Sequence, residues 1–423
     1  MKDDRPQCFD VRDSRTGGAV GGDALPVHLP YDPPPLLQLE LVSELEGHTE
    51  RVWCVAWCPA ADILASCSGD GTVRLWGYTH PLQNENDREG GEVDGQWNCI
   101  DTLQGEHSRT IRHVSWSPSG AFIGCASFDR TASVWRRSSD DPSCYEFELE
   151  AVLDGHENEV KCVAWATDNT LATCSRDRTV WVWDRVDIGE FECAGVLAGH
   201  AQDVKSCAWF FSPTGVEKPV LLSCSYDNTI KIWTESHRRD DWYCCQTLIR
   251  HEGTVWAVAV QPLEQSIDAM QPGGEEEGEE TTHRFTPIMC SSSDDKTITF
   301  WGRDTQGKFF SICTASGFAE RTIYSVGWAP CGRGHSNSIV ACGSGDNKIT
   351  LLGLYQTMGS NEIHVNVIAE VSAAHEADVN SVAFSFVTNS LMDDDRGNDG
   401  ELLLASGGDD SIVRLWRVKK MQL

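Results

Sequence analysis

Positive charge is scarce in this sequence: 34 Lys and Arg stand against 64 Asp and Glu, a formal charge of −30 over 423 residues. Nucleic acids and anionic membranes reward clustered Lys and Arg, so that balance excludes a general affinity for either. Also missing is any apolar run near the ~20 residues that a membrane-spanning helix needs. The first residues, MKDDRPQCFDVRDS, hold no signal-like apolar stretch, which sets an expectation of the cytosol or nucleus. Although there are 18 cysteines, no Cys-x-x-Cys occurs. Without such spacing, neither a compact zinc site nor an iron-sulfur ligand set is indicated.

What is present is self-similarity. A length of 423 residues ordinarily means two or three domains, yet repeat folds place that many in one, and 40% hydrophobic residues suffice for a packed core. A Gly-His or a variant of it, a short apolar strand ending in an aromatic, Ser-x-Asp and an alternating strand ending in Trp recur seven times. The third unit, VLDGHENEVKCVAWATDNTLATCSRDRTVWVWD, spans residues 152–184. Others carry SCSGDGTVRLW, CASFDRTASVW, SCSYDNTIKIW, SSSDDKTITFW, CGSGDNKITLL and SGGDDSIVRLW. This resembles the WD-repeat signature, which implies an all-β, seven-bladed β-propeller with four strands per blade.

The polar residues of the repeat have a structural reason. Counting back from the Trp that ends the third strand, Asp lies six residues earlier and Ser or Thr ten. His156, Thr173, Asp177 and Trp183 form one such set; His48, Ser66, Asp70 and Trp76 form another. The sets His200, Ser223, Asp227 and Trp233; His251, Ser291, Asp295 and Trp301; and His375, Ser406, Asp410 and Trp416 follow. Ser, His and Asp together invite a hydrolase reading, but fivefold repetition argues for buried groups satisfying one another rather than for one active site. No catalytic residue, metal ligand or cofactor is therefore assigned. The second blade has Cys125 at the Ser position. The sixth has Phe318 for His and Leu352 for Trp, and is expected to be the least rigid.

The strand LLQLELVSEL, residues 36–45, precedes the first repeat, while the last repeat stops after its third strand. The early strand is therefore expected to complete the last blade and seal the ring. Residues 1–35 read as a disordered leader and 36–423 as the propeller, with insertions at 78–97, 261–287 and 386–401. Those 63 residues hold −14 of the total charge and fall on one rim, here called the bottom. Cys67, Cys174 and Cys224 each precede a turn Asp by three residues, and Cys54, Cys162 and Cys207 lie on first strands. Both registers read as core packing. The pairs Cys244 with Cys245 and Cys54 with Cys58 are the ones spaced for a transient metal.

The opposite rim, the top, carries in each blade the residue before the turn Asp and two residues at the start of the first strand. Five of these 21 positions are aromatic, against 9% of the chain, and five cations balance five acids. The candidate binding residues are Arg51, Trp53, Arg112, Phe128, Lys161, Arg176, Lys205, Tyr226, Trp256 and Tyr324. Aromatics and Arg are the usual anchors of protein interfaces. Such a face suits a peptide carrying an aromatic side chain and carboxylates.

The segments GHENEVK, CSRDR, AQDVKSCAW, SYD, DDWYCCQTL, HEGTVWAVAV and RTIYSVGW go beyond what a propeller demands. They resemble the WD-repeat subunit of the cytosolic iron-sulfur protein assembly machinery, over residues 36–417. The resemblance implies a non-catalytic scaffold that delivers preassembled clusters to cytosolic and nuclear apoproteins. Implied partners are a small adaptor protein with a reactive cysteine, a HEAT-repeat scaffold, a hydrogenase-like iron-sulfur carrier, and client apoproteins, some with aromatic C-terminal tails. Arg176 matches an exposed top-face Arg of that family. A substrate receptor for ubiquitin ligation is the competing reading, although WDRV after the third blade lacks the Arg three residues beyond Trp that such receptors often show.

Overall fold

The computed structural model describes residues 36–79, 95–139, 145–212, 218–236, 241–262, 288–330, 339–356, 362–385 and 402–421. The expected leader, most of the three acidic insertions and the C-terminal two residues lie outside these. Of the insertion expected at 78–97, residues 78–79 and 96–97 belong to strands.

Among the described residues, twenty-eight strands form seven antiparallel sheets of four. Within a blade the strands run a to d from the inside outward. Blade 3, for instance, comprises Val160–Thr167, Thr170–Ser175, Thr179–Asp187 and Glu190–Ala198. Strand b is buried on both faces and reads as an apolar and Ser/Thr run. In blade 3 strand d is mostly exposed, with Leu197 its one buried residue. The strand Leu37–Leu45 pairs antiparallel with Val413–Lys420, joining Leu37 to Lys420 and Leu45 to Val413. That closes blade 7 as expected and leaves no open seam in the ring.

The b–c turns of blades 1 to 5 are built alike. In blade 1 the Asp70 amide donates to Ser68 Oγ (3.1 Å), while the Thr72 amide and hydroxyl donate to Asp70 Oδ1. The next chain position takes positive φ in all seven blades, as Gly71, Arg130, Arg178, Asn228, Lys296, Asn347 and Ser411. Six blades thus hold a side chain where glycine is the relaxed choice.

The polar sets close into hydrogen-bonded chains. In blade 3 His156 Nδ1 lies 2.7 Å from Asp177, His156 Nε2 lies 2.9 Å from Thr173 Oγ1, and Trp183 Nε1 donates to the same hydroxyl oxygen at 2.9 Å. A carboxylate only accepts, so Nδ1 carries the imidazole proton and Nε2 accepts from the hydroxyl. The hydroxyl is then fully used and buried, which removes it as a nucleophile. Blades 1, 4, 5 and 7 repeat this geometry.

Two blades depart from the sequence reading. In blade 2 the hydroxyl has moved one strand outward: Ser133, the cross-strand neighbour of Cys125, takes His107 Nε2 at 2.8 Å and Trp135 Nε1 at 2.9 Å. His107 reaches Asp129 at 2.9 Å, so the chain is complete despite Cys125. In blade 6 three members are lost, not two, since Cys342 occupies the hydroxyl position. Phe318, Cys342 and Leu352 bury together in one apolar cluster with Phe300 and Trp328. The expectation of looseness rested on the missing hydrogen bonds, and apolar side chains fill their place.

Candidate docking face

The b–c turns put their variable residue on the top rim by one repeated hydrogen bond. The amide before each turn Asp donates to a carbonyl at the start of strand a: Arg176 to Glu159, Tyr226 to Asp203 and Phe128 to Thr110, each at 2.9 Å. The bond uses backbone alone, so it fixes position and leaves the side chain free to vary.

The ten expected residues form an arc rather than a scatter. The guanidinium groups of Arg51 and Arg112 lie 5.3 and 4.8 Å from the Trp53 ring centre, and Trp53 neighbours Phe128 at 6.4 Å. Lys161 Nζ sits 3.9 Å from the Phe128 ring centre. Lys205 Nζ lies about equally close to Tyr226 and Trp256, at 5.1 and 5.0 Å. Trp256 meets Tyr324 edge-on at 5.1 Å and donates Nε1–H to Asp294 at 2.6 Å. A cation–ring contact contributes about 0.5–1 kcal/mol at an exposed site and more where desolvated, and together these contacts order the side chains.

Two acids stitch the cationic stretch together. Glu159 meets Lys161 Nζ at 2.5 Å, Arg109 at 3.3 Å and Arg176 at 3.6 Å. Asp203 meets Lys205 at 3.5 Å and Arg176 at 3.9 Å. Burial pulls the Glu159 carboxyl upward, yet Lys161, Arg176 and Arg109 hold it below its ordinary value. Burial lowers Lys161 and Lys205, partly offset by Glu159 and Asp203. Arg176 has 53% of its side chain exposed, and both its ion pairs are long. Ion pairs of that kind are worth 0 to about 1 kcal/mol.

Arg109 belongs to the arc and was missed. It lies over Phe128, donates to the Phe128 carbonyl at 2.6 Å and pairs with Glu159. Its signal was one residue upstream of the register used, in the loop entering strand a. Arg321, at the equivalent place in blade 6, pairs with Asp378 at 3.3 Å.

The thiols divide differently from the sequence expectation. Cys244 and Cys245, adjacent on strand d of blade 4 (Trp242–Ile249), bond Gln246 O and Ile232 O respectively, and Cys245 is exposed. All 15 described cysteines are free, and the six strand-a and strand-b cysteines of blades 1, 3 and 4 are buried as expected. Among these, Cys162, Cys174 and Cys207 converge, with sulfurs all within 4.8 Å of one another.

The chain matches the family model "WD domain, G-beta repeat" five times, at residues 39–77, 97–136, 147–184, 191–234 and 369–417. The span between 234 and 369 contains blade 5 and the apolar blade 6. Among curated relatives, "Protein CIA1" of Arabidopsis thaliana is 37% identical over 389 residues, covering 90% of this chain and 97% of the relative. "Probable cytosolic iron-sulfur protein assembly protein 1" of Kluyveromyces lactis is 34% identical over 385 residues, with 90% and 98% covered. The protein of that name in Vanderwaltozyma polyspora is 31% identical over 399 residues, with 90% and 99% covered.

Proposed function

The chain belongs to the cytosolic iron-sulfur protein assembly protein 1 family of WD-repeat propellers, and from that premise we propose that it is a non-catalytic docking platform whose top-face arc captures its partners. Its work is in cytosolic iron-sulfur protein assembly, through contacts with other proteins of that machinery. Holding a cluster donor and its acceptor on one rigid ring raises their effective concentration, which needs no bond-making by the ring. A small adaptor with a reactive cysteine, a HEAT-repeat scaffold, a hydrogenase-like carrier and client apoproteins are the partners this reading assigns, with delivery in the cytosol and the nucleus.

The observation that carries the site is the alternation of cation and ring from Arg51 through Lys161 and Arg176 to Trp256 on a molecule of net charge −30. A peptide presenting an aromatic residue beside carboxylates complements it: the ring fits among Phe128, Tyr226 and Trp256, and the carboxylates meet Arg176, Lys161 and Lys205. Arg176→Glu should leave the melting temperature within a degree or two, because the side chain is half exposed and its pairs are weak. Losing a charge-assisted contact at a desolvated interface should cost about 2 kcal/mol or more, over tenfold in affinity. Affinity capture from cells expressing parent and variant measures this. Undiminished capture by a variant of normal stability places the working surface elsewhere on the ring.

A further inference from the structure

The third residue of strand a reaches sideways to the next blade. Ser325 Oγ accepts from the Val382 amide and Ser381 Oγ from the Val55 amide, both at 3.1 Å; Cys54 and Cys162 point their thiols at the Val114 and Cys207 carbonyls, both at 3.6 Å. The fourth residue of strand a is therefore at each blade seam. It is Val55, Val114, Val163, Val258, Val326 and Val382 in six blades. In blade 4 alone it is cysteine, Cys207.

That exception meets two more thiols. Cys162 comes from strand a of blade 3 and Cys174 from its cross-strand partner on strand b. All three are buried, at 1%, 0% and 4% exposure. Their present hydrogen bonds are long sulfur contacts of 3.6 to 4.0 Å, to Cys207 O, Val204 O and Ala172 O. At the seam between blades 1 and 2 the same positions hold Cys54, Cys67 and Val114, so packing accepts valine in this place. On the other side of Cys162 stands His113, third residue of its own strand a, in interaction with both Cys54 and Cys162. Its Nδ1 is buried without a hydrogen bond of normal geometry.

We propose that Cys162, Cys174 and Cys207 form a binding site for one thiophilic d¹⁰ cation, zinc or monovalent copper, at the seam between blades 3 and 4. Thiolate–zinc bonds of about 2.3 Å place sulfurs about 3.8–4.0 Å apart in tetrahedral or trigonal geometry, and the three sulfurs already lie within 4.8 Å of one another. Soft thiolates select such ions over calcium or magnesium. An iron-sulfur cluster calls for four such ligands, and this pocket has three. Copper(I) is satisfied by three thiolates. Zinc requires a fourth ligand from outside this trio, since among the described residues no other His, Cys, Asp or Glu joins the three within that distance. The ion would tie blade 3 to blade 4 directly beneath the arc, since Cys162 follows Lys161, Cys174 lies two residues before Arg176 and Cys207 two after Lys205.

The test uses full-length protein, reduced and handled anaerobically, titrated separately with Zn²⁺, with Cu⁺ and with Co²⁺ as a spectroscopic probe. One equivalent per chain should bind, Co²⁺ giving a near-ultraviolet thiolate charge-transfer band. Cys207→Val, which copies the other six seams, should weaken binding by more than the about 10–100-fold that an outer-shell loss costs, whereas Cys290→Ala should not. Alkylation of the parent provides a readout independent of variant folding: the ion should shield Cys162, Cys174 and Cys207 but not Cys290 or Cys313. Binding below about a tenth of an equivalent, retention by folded Cys207→Val, or uniform shielding of all thiols would each overturn the proposal.

Discussion

Blades 3 and 6 share one backbone and have opposite interiors. Blade 3 buries a chain of His156, Thr173, Asp177 and Trp183, while blade 6 buries Phe318, Cys342 and Leu352 at the equivalent places. In blade 6 only the turn acid remains, Asp346, receiving the Glu320 amide at 2.8 Å and the Ser344 hydroxyl. The polar chain is therefore kept whole or removed nearly whole. A half-made chain would strand donors in a low-dielectric interior, where each orphan costs about 1–3 kcal/mol. The propeller needs its interior filled and satisfied, and it is indifferent to which chemistry does so.

The largest effect should follow from mixing the two solutions. His156→Phe, the blade 6 residue placed in blade 3, leaves the Thr173 hydroxyl and Asp177 without the imidazole. A loss of about 3 kcal/mol or more is expected in urea unfolding. Adding Thr173→Cys and Trp183→Leu should recover part of that loss, because the orphans disappear with their partners. A triple variant no more stable than the single one would mean that blade 6 survives through its neighbours and not through its own apolar set.

Acid should attack the same contrast. Burial alone would raise the turn carboxyls, but hydrogen bonds from the paired His and Thr hold Asp177 and Asp295 down at about 2, and Asp70, Asp129 and Asp227 lower still. Arg414 adds to His375 at Asp410, which is likewise lowered. A folded value below the ordinary carboxylate range means stability that is present above about pH 4 and lost as pH falls toward 2. Six blades should loosen together in that window, a cooperative transition followed by near-ultraviolet circular dichroism. Asp177→Asn should flatten blade 3's share of the slope while lowering stability at neutral pH.

Much of this was legible in sequence because burial punishes error. His, Ser or Thr, Asp and Trp recur at fixed offsets, and the register that places Arg176 on the top rim follows from the same count. What escaped reading depends on a neighbour in another strand or blade. Ser133 could replace Cys125 only because the two face each other across strands, and offsets counted along one strand do not show that. Arg109 joins the arc through Phe128 and Glu159, the latter from the next blade. The thiols of Cys162, Cys174 and Cys207 were each placed in the core correctly, but their meeting is a property of the seam. In blade 6 the offsets show which polar members are absent but not the apolar cluster that fills their space.

Blade 2 supplies the finest division of the comparison, since it has moved one atom group and kept the chain. Ser133→Ala should strand His107 Nε2 and Trp135 Nε1, costing about 2 kcal/mol. Cys125→Ser added to it returns the hydroxyl to the strand used by blades 1, 3, 4, 5 and 7, and the double variant should return to within about 0.5 kcal/mol of the parent. Cys125→Ser alone places two hydroxyls where one has partners, so it should be mildly destabilising. The three urea curves form a thermodynamic cycle whose coupling term measures the exchange directly. A coupling near zero would mean that the hydroxyl's strand matters in itself, because His107 and Trp135 could then use it only from Ser133.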